Sequence, residues 1–117
     1  MDENDEKRKL RRRSLLYDFE VVEKDSGASV GRIINISLEG LMLISTDRQV
    51  SDTVLDLRIK LPETIFGKNN IDCKAQCMWC KKNKNTDFYE AGFHLLELPE
   101  DDIKAIVGLI TKYRLLD

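Results

Sequence analysis

Between residues 53 and 97 apolar and polar side chains trade places at every second position, and that period is the strongest constraint on the fold of this chain. Leu55, Leu57, Ile59 and Leu61 alternate with Asp56, Arg58 and Lys60, and Tyr89, Ala91, Phe93 and Leu95 alternate with Phe88, Glu90, Gly92 and His94. A segment with this period buries one face as a β-strand and has no continuous helical stripe to bury. Turn signals separate the runs: Lys24-Asp25-Ser26-Gly27, Gly67-Lys68-Asn69-Asn70 and Lys82-Asn83-Lys84-Asn85. The pattern predicts six strands, at about 16–24, 30–37, 40–46, 53–61, 71–81 and 87–97. Short strands at such regular spacing predict an antiparallel barrel or sandwich.

The period changes once, after Pro99. Ile103, Ile106, Val107, Ile110 and Tyr113 recur at helical spacing, and Glu100, Asp101 and Asp102 fill the first turn, where carboxylates suit the positive end of the helix dipole. An amphipathic helix is expected to pack its Ile-rich face on the sheet. At 117 residues the chain has the length of one domain. No apolar run approaches the roughly 20 residues needed to span a bilayer, and no apolar stretch follows the basic N-terminus as in a secretory signal. No membrane insertion and a cytoplasmic location are therefore expected.

Cys73, Cys77 and Cys80 have the CxxxCxxC spacing of an iron-sulfur loop. Such a loop must converge three thiolates, whereas these cysteines lie in a strand pattern. Strict alternation puts Cys73, Ala75, Cys77 and Trp79 on one face and Cys80 on the other, so core cysteines are expected and Trp79 is expected in the core with them. Zinc would lack a fourth ligand unless His94 supplied it from another strand. His94 itself falls opposite Phe93 and Leu95, on the exposed face. No metal and no cofactor are expected.

Charge is distributed unevenly. The segment KRKLRRR, residues 7–13, holds six positive charges in a chain of net charge -2, and the remaining 13 Lys and Arg face 21 Asp and Glu. Residues 1–13 read as a flexible basic arm and residues 14–117 as the folded domain. Four acids, Asp2, Glu3, Asp5 and Glu6, stand just before the basic run. A long nucleic acid would meet repulsion beyond the arm, so no nucleic-acid partner is expected, while a small dianion would meet only the arm. The second notable stretch is Asn35-Ile36-Ser37-Leu38-Glu39-Gly40, a turn-prone NxSxxG between two strands.

An RxxxR element, Arg8 to Arg12, separated by 22 residues from NxSxxG (Asn35, Ser37, Gly40), resembles the PilZ domain family of bacterial cyclic di-GMP receptors. The strand GLMLIS after the motif, Met78-Trp79-Cys80 and Ala91-Gly92-Phe93 fit the same resemblance. It implies a mainly β fold, a six-stranded antiparallel β-barrel with a C-terminal α-helix. It also implies that Arg8 and Arg12 clamp the bases and phosphates of cyclic di-GMP, that Asn35 and Ser37 bond guanine edges or phosphate oxygens, and that Gly40 leaves room at the barrel surface. Guanidinium suits this role because its forked donors meet guanine O6 and N7, or a phosphate, in bidentate fashion. The register Lys9 to Arg13 is an alternative; Arg8 and Arg12 retain both guanidinium groups, and Arg13 stays open as a participant, as does Trp79 by stacking on a base, although its alternation favours the core and it is left outside the site. Where the family often has Asp, Asn35 offers an amide that donates as well as accepts.

With one histidine, no evident pairing of nucleophile and base, and no GxxxxGK[ST] loop, no enzymatic activity is expected. The function implied by the resemblance is a second-messenger receptor or adaptor that orders its arm on ligand binding and signals to a downstream protein. The alternative is a PilZ-like docking scaffold that binds no nucleotide.

Overall fold

The computed structural model describes residues 19–113 apart from Phe66. Six strands, β1 (Glu20–Glu23), β2 (Ser29–Ile36), β3 (Gly40–Ser45), β4 (Val54–Ile65), β5 (Lys68–Lys82) and β6 (Tyr89–Glu97), precede one helix, α1 (Glu100–Tyr113). The strands close into an antiparallel barrel in the order β1-β2-β3-β6-β5-β4. Closure follows because β4 pairs with β1 on one edge, Val21 opposite Ile59, and with β5 on the other, Leu57 opposite Cys73. Among the described residues each strand has a neighbour on both sides, so none stands as a free edge.

The inward positions of the alternating pattern make the core. Leu43, Leu57, Ile59, Ile71 and Cys77 are all within 1% of full burial, and each such aliphatic side chain contributes about 1.5–3 kcal/mol relative to exposure. Cys73 lies in the same core, where burial first and then the carboxylates of Asp102, Asp72 and Asp56 push its thiol up to about 12. A thiol held protonated in this way is a small apolar filler rather than a metal ligand. Among the described residues no group of three His, Cys, Asp or Glu side chains is placed to hold a metal. Nor is any described helix long and apolar enough to cross a membrane.

The strand that begins at Val54 runs past the expected end at Leu61 and continues to Ile65. Pro62 cannot donate to a ladder. The register instead slips between Lys60 and Ile65, and this irregular stretch accommodates the missing donor. Gly67 has φ 76° and β5 begins at Lys68, so Asn69 and Asn70 belong to β5 rather than to a loop.

Helix α1 packs against β5 and β4 on a face rotated from the expected one, with Ile106 and Tyr113 buried as the periodicity predicted and Ile110 partly buried against the core. The buried residues are Asp102, Ala105, Ile106, Leu109 and Tyr113, while Ile103 and Val107 are 37% and 46% exposed. Two contacts set this rotation. Tyr113 meets the fully buried Phe19 edge to face, with ring centroids 5.1 Å apart, and Asp102 is drawn inward to Lys68, whose Nζ stands 3.0 Å from Oδ1. A buried carboxylate with an ammonium partner outweighed the Ile-rich stripe, a result that hydrophobic periodicity does not anticipate.

On the barrel wall Arg58 donates from Nε and Nη2 to the two oxygens of Asp72, at 2.9 and 3.2 Å. The hydrogen bond to Arg58 holds the Asp72 carboxyl below the usual range against a smaller opposing effect of desolvation. A carboxyl depressed in the folded state contributes stability above its unfolded pKa of about 4 and loses it as pH falls. Thermal midpoints measured from pH 6 down to pH 3 should therefore fall less steeply in Asp72→Asn than in the wild type. The pair is part-exposed, so the difference should be modest. Parallel curves would remove Asp72 from the acid response.

Candidate functional site

The NxSxxG segment forms the connection between β2 and β3, and each of its named residues has a distinct place. Ser37 N donates to Gly40 O at 2.8 Å, while the Ser37 hydroxyl accepts from Glu39 N and Gly40 N at 3.2 and 3.3 Å. Leu95 N then donates to Glu39 O at 2.9 Å, tying the turn to β6. A Cβ built on Gly40 would lie 2.4 Å from Phe93 O. The space left by the missing side chain is thus taken by the β6 backbone, and glycine is required here for strand approach rather than for turn conformation.

Asn35 reaches the outside through an irregularity. Ile33 pairs with Leu43 but Asn35 pairs with Met42, so Ile34 is the extra residue of a β-bulge. The bulge turns Asn35 outward and lets Ile36 point into the core at 1% exposure. Among the described residues the Asn35 amide has no hydrogen-bond partner, which leaves its donors and acceptor available.

A second bulge stands across β3 and β6. Cys77 pairs with Phe93, yet Trp79 pairs with Gly92, so Met78 is the extra residue. Strict alternation fails at that point. Trp79, expected in the core, is instead 38% exposed, and Cys80, expected outside, is partly buried against the core with its sulfur accepting from Gln49 N at 3.3 Å. The indole lies directly on Gly92, where an added Cβ would come within 2.3 Å of Nε1. Lys81 Nζ sits 5.5 Å from the centre of the same ring.

The two bulges face one open groove of about 400 Å³, and its lining includes Asn35, Ser37, Gly40, Trp79 and His94. The structure therefore brings together Asn35, Ser37 and Gly40 as expected, and adds Trp79 and His94, which sequence reasoning left out of the site. His94 is exposed, as its strand position predicted, and pairs with Gly40. A flat indole, a free amide and an imidazole around a shallow floor suit a planar heteroaromatic ring that stacks and hydrogen-bonds at its edge. The lining contains Glu39 but no Lys or Arg. Cationic partners for an anion must come from outside the groove.

Gly92→Ala should push the indole off the floor of the groove, because no rotamer of a Trp ring clears a contact of 2.3 Å to backbone-mounted carbon without moving. The single tryptophan makes the result readable by fluorescence. A shifted emission maximum with retained β-rich circular dichroism is the expected outcome; an unchanged spectrum would contradict the contact.

Arg8 and Arg12 lie outside the described residues. The first described residue, Phe19, accepts at its carbonyl from Ile33 N at 3.1 Å, two residues before Asn35 on β2. Because β1 runs antiparallel to β2, with Glu20 opposite Arg32, its N-terminal end faces the Asn35 half of β2.

The family model of the PilZ domain matches residues 6–112, nearly the whole chain. The chain belongs to the PilZ domain family. Its PilZ barrel is similar to a solved structure from Bacillus subtilis described as an inhibitor of motility (MotI/DgrA), with a TM-score of 0.68, 19% identity, and coverage of 85% of this chain. This chain spans about half of that protein, 47% of its length. Among curated proteins no match is found. At that identity the likeness to the solved structure is one of fold.

Proposed function

We propose that this PilZ domain is a non-enzymatic receptor for cyclic di-GMP, in which Arg8 and Arg12 close over the groove and the changed surface is read by a partner protein. The observation that carries this reading is the convergence of Asn35, Ser37 and Trp79 on one groove whose described lining contains no Lys or Arg. A ligand with two phosphodiester charges and two guanines needs both a stacking surface and guanidinium donors. Only six residues lie between Arg12 and Phe19, a reach of at most about 25 Å, and Arg8 reaches further, at most about 40 Å. Three free cysteines suit a reducing, cytoplasmic compartment.

The energetics set how many contacts are needed. Ordering the five residues from Arg8 to Arg12 costs roughly 5–10 kcal/mol of backbone entropy, and each charge-assisted hydrogen bond returns on the order of 1.5–3 kcal/mol. Net micromolar affinity requires about 8 kcal/mol. Much of what the arm gains goes to offset its own ordering, so contacts made by the groove itself must add to it, among them stacking of a guanine on Trp79, worth about 1–3 kcal/mol. Ser37 contributes mainly by holding the turn that presents Asn35, since its hydroxyl already serves two backbone amides.

The deciding experiment is a calorimetric titration of the intact chain with cyclic di-GMP, with GTP in parallel. Saturable micromolar binding that GTP does not reproduce is expected. Absence of heat at high micromolar ligand would replace this reading with that of a docking scaffold and direct the search to protein partners.

A further inference from the structure

Across the outer wall formed by β5, β6 and β3, exposed side chains are apolar in the middle and oppositely charged at two ends. Leu38, Met78 and Trp79 are 46%, 53% and 38% exposed, and Met42 and Met78 line the same groove as Trp79. Lys81 and Glu39 mark the ends. Lys81 stands over the Trp79 ring on β5, and Glu39 sits in the turn that leads into β3. Both are exposed, and neither forms an ion pair among the described residues. Glu90, the acid opposite Lys81 in register, is engaged instead by Asn83 Nδ2 at 2.9 Å. Methionine and tryptophan at the centre with charge at the rim is the composition of a protein interface.

We propose that this wall pairs with a second copy of the chain about a two-fold axis over Gly92, so that Lys81 of each copy meets Glu39 of the other. The strand register defines the axis. Lys81 is level with Glu90, and Gly40, next to Glu39, is level with His94, so about 14 Å of β6 separates the two charges along the strands. Two strand spacings, about 10 Å, separate them across the sheet. Gly92 lies near the midpoint in both directions, paired with Trp79 on β5 and with Met42 on β3. A half-turn about that point exchanges the position of the cation with that of the anion and brings Trp79 of one copy toward Met42 of the other. Opposite charges placed diagonally about an apolar centre make the surface complementary to itself, which is the requirement of an isologous interface. The paired face includes the groove. Cyclic di-GMP and the second copy therefore compete for it, a consequence that rests on the receptor reading.

Sedimentation equilibrium of the full chain without ligand should show a monomer–dimer equilibrium at high micromolar concentration; a monomer throughout would overturn the proposal. Lys81→Glu and Glu39→Lys should each weaken dimerisation by about tenfold or more, because each sets like charges against one another twice. Circular dichroism should be retained in both, and Lys104→Glu on α1 should dimerise like the wild type. An equimolar mixture of the two reversed chains decides the geometry. In a mixed pair both contacts again join opposite charges, so the mixture should dimerise about as well as the wild type while each chain alone does not. A mixture no better than its components, or a Lys81→Glu chain that dimerises like the wild type, would overturn the two-fold arrangement. Saturating cyclic di-GMP should then shift the wild type to monomer. Calorimetric binding that leaves the dimer intact would overturn the shared face, whereas a dimer that binds no cyclic di-GMP would overturn the receptor reading alone.

Discussion

Alanine in place of Arg12 should lower the affinity for cyclic di-GMP by at least about tenfold, and Arg8→Ala should do the same, with thermal stability nearly unchanged in both. Each guanidinium is expected to supply a forked pair of charge-assisted hydrogen bonds, and loss of one such interaction costs on the order of 1.5–3 kcal/mol, equivalent to roughly ten- to hundredfold. The groove cannot compensate, because its lining contains no other cation. Stability should be spared because the described core residues, from Phe19 to Tyr113, pack against one another in one cluster. Arg12→Lys separates charge from geometry: it keeps the charge, loses the fork, and should recover only part of the affinity. Wild-type affinity in Arg12→Ala would remove that residue from the site, and a large fall in melting temperature would show that the arm has a role in the core.

The second large effect concerns folding. Gly40→Ala should destabilise the domain by about 1–3 kcal/mol, lowering the thermal midpoint by roughly 5–15 °C. Its Cβ would lie 2.4 Å from Phe93 O, and the obstacle is backbone, which yields only if β3 and β6 separate. Six consecutive residues, Gly40 to Ser45, are paired along that seam, and the Ser37 turn is tied to it through Glu39 and Leu95. Gly27→Ala provides the control. Gly27 has φ 76° but no atom within 4 Å of a built Cβ, so its cost is the left-handed backbone alone, about 1–2 kcal/mol. A Gly40→Ala variant as stable as the wild type would show that the two strands separate without cost. In either variant the groove should be assayed separately, since displacement of β3 also moves Asn35.

These two effects separate what was legible from what was not. RxxxR and NxSxxG are local patterns, and the alternation of Leu55 to Leu61 and Tyr89 to Leu95 is local as well, so the family, the six strands and the turn at Ser37 could be read directly. The errors arose where one residue changed the phase of a strand. The expectation that Trp79 sits in the core assumed unbroken alternation from Cys73. Nothing in Cys77-Met78-Trp79-Cys80 announces the bulge, because its cause is the pairing of Trp79 with Gly92 on another strand. A large aromatic in β5 and a glycine in a neighbouring strand constitute the one available signal, and it becomes usable only once β5 and β6 are known to be partners. The helix failed in the same way. Its apolar stripe placed Ile106 and Tyr113 inward correctly but also favoured Ile103 and Val107, whereas Lys68, distant in sequence, pairs with Asp102 on the buried side.

By itself the sequence determined an antiparallel β-barrel closed by a helix, membership of the PilZ family and the chemical types available to a site, because side-chain period and motif spacing are properties of neighbouring residues. Tertiary structure alone decided that Asn35 and Trp79 look into the same groove. Their directions depend on bulges at Ile34 and Met78, and a bulge is a mismatch between two strands, so it exists only after the strands have paired.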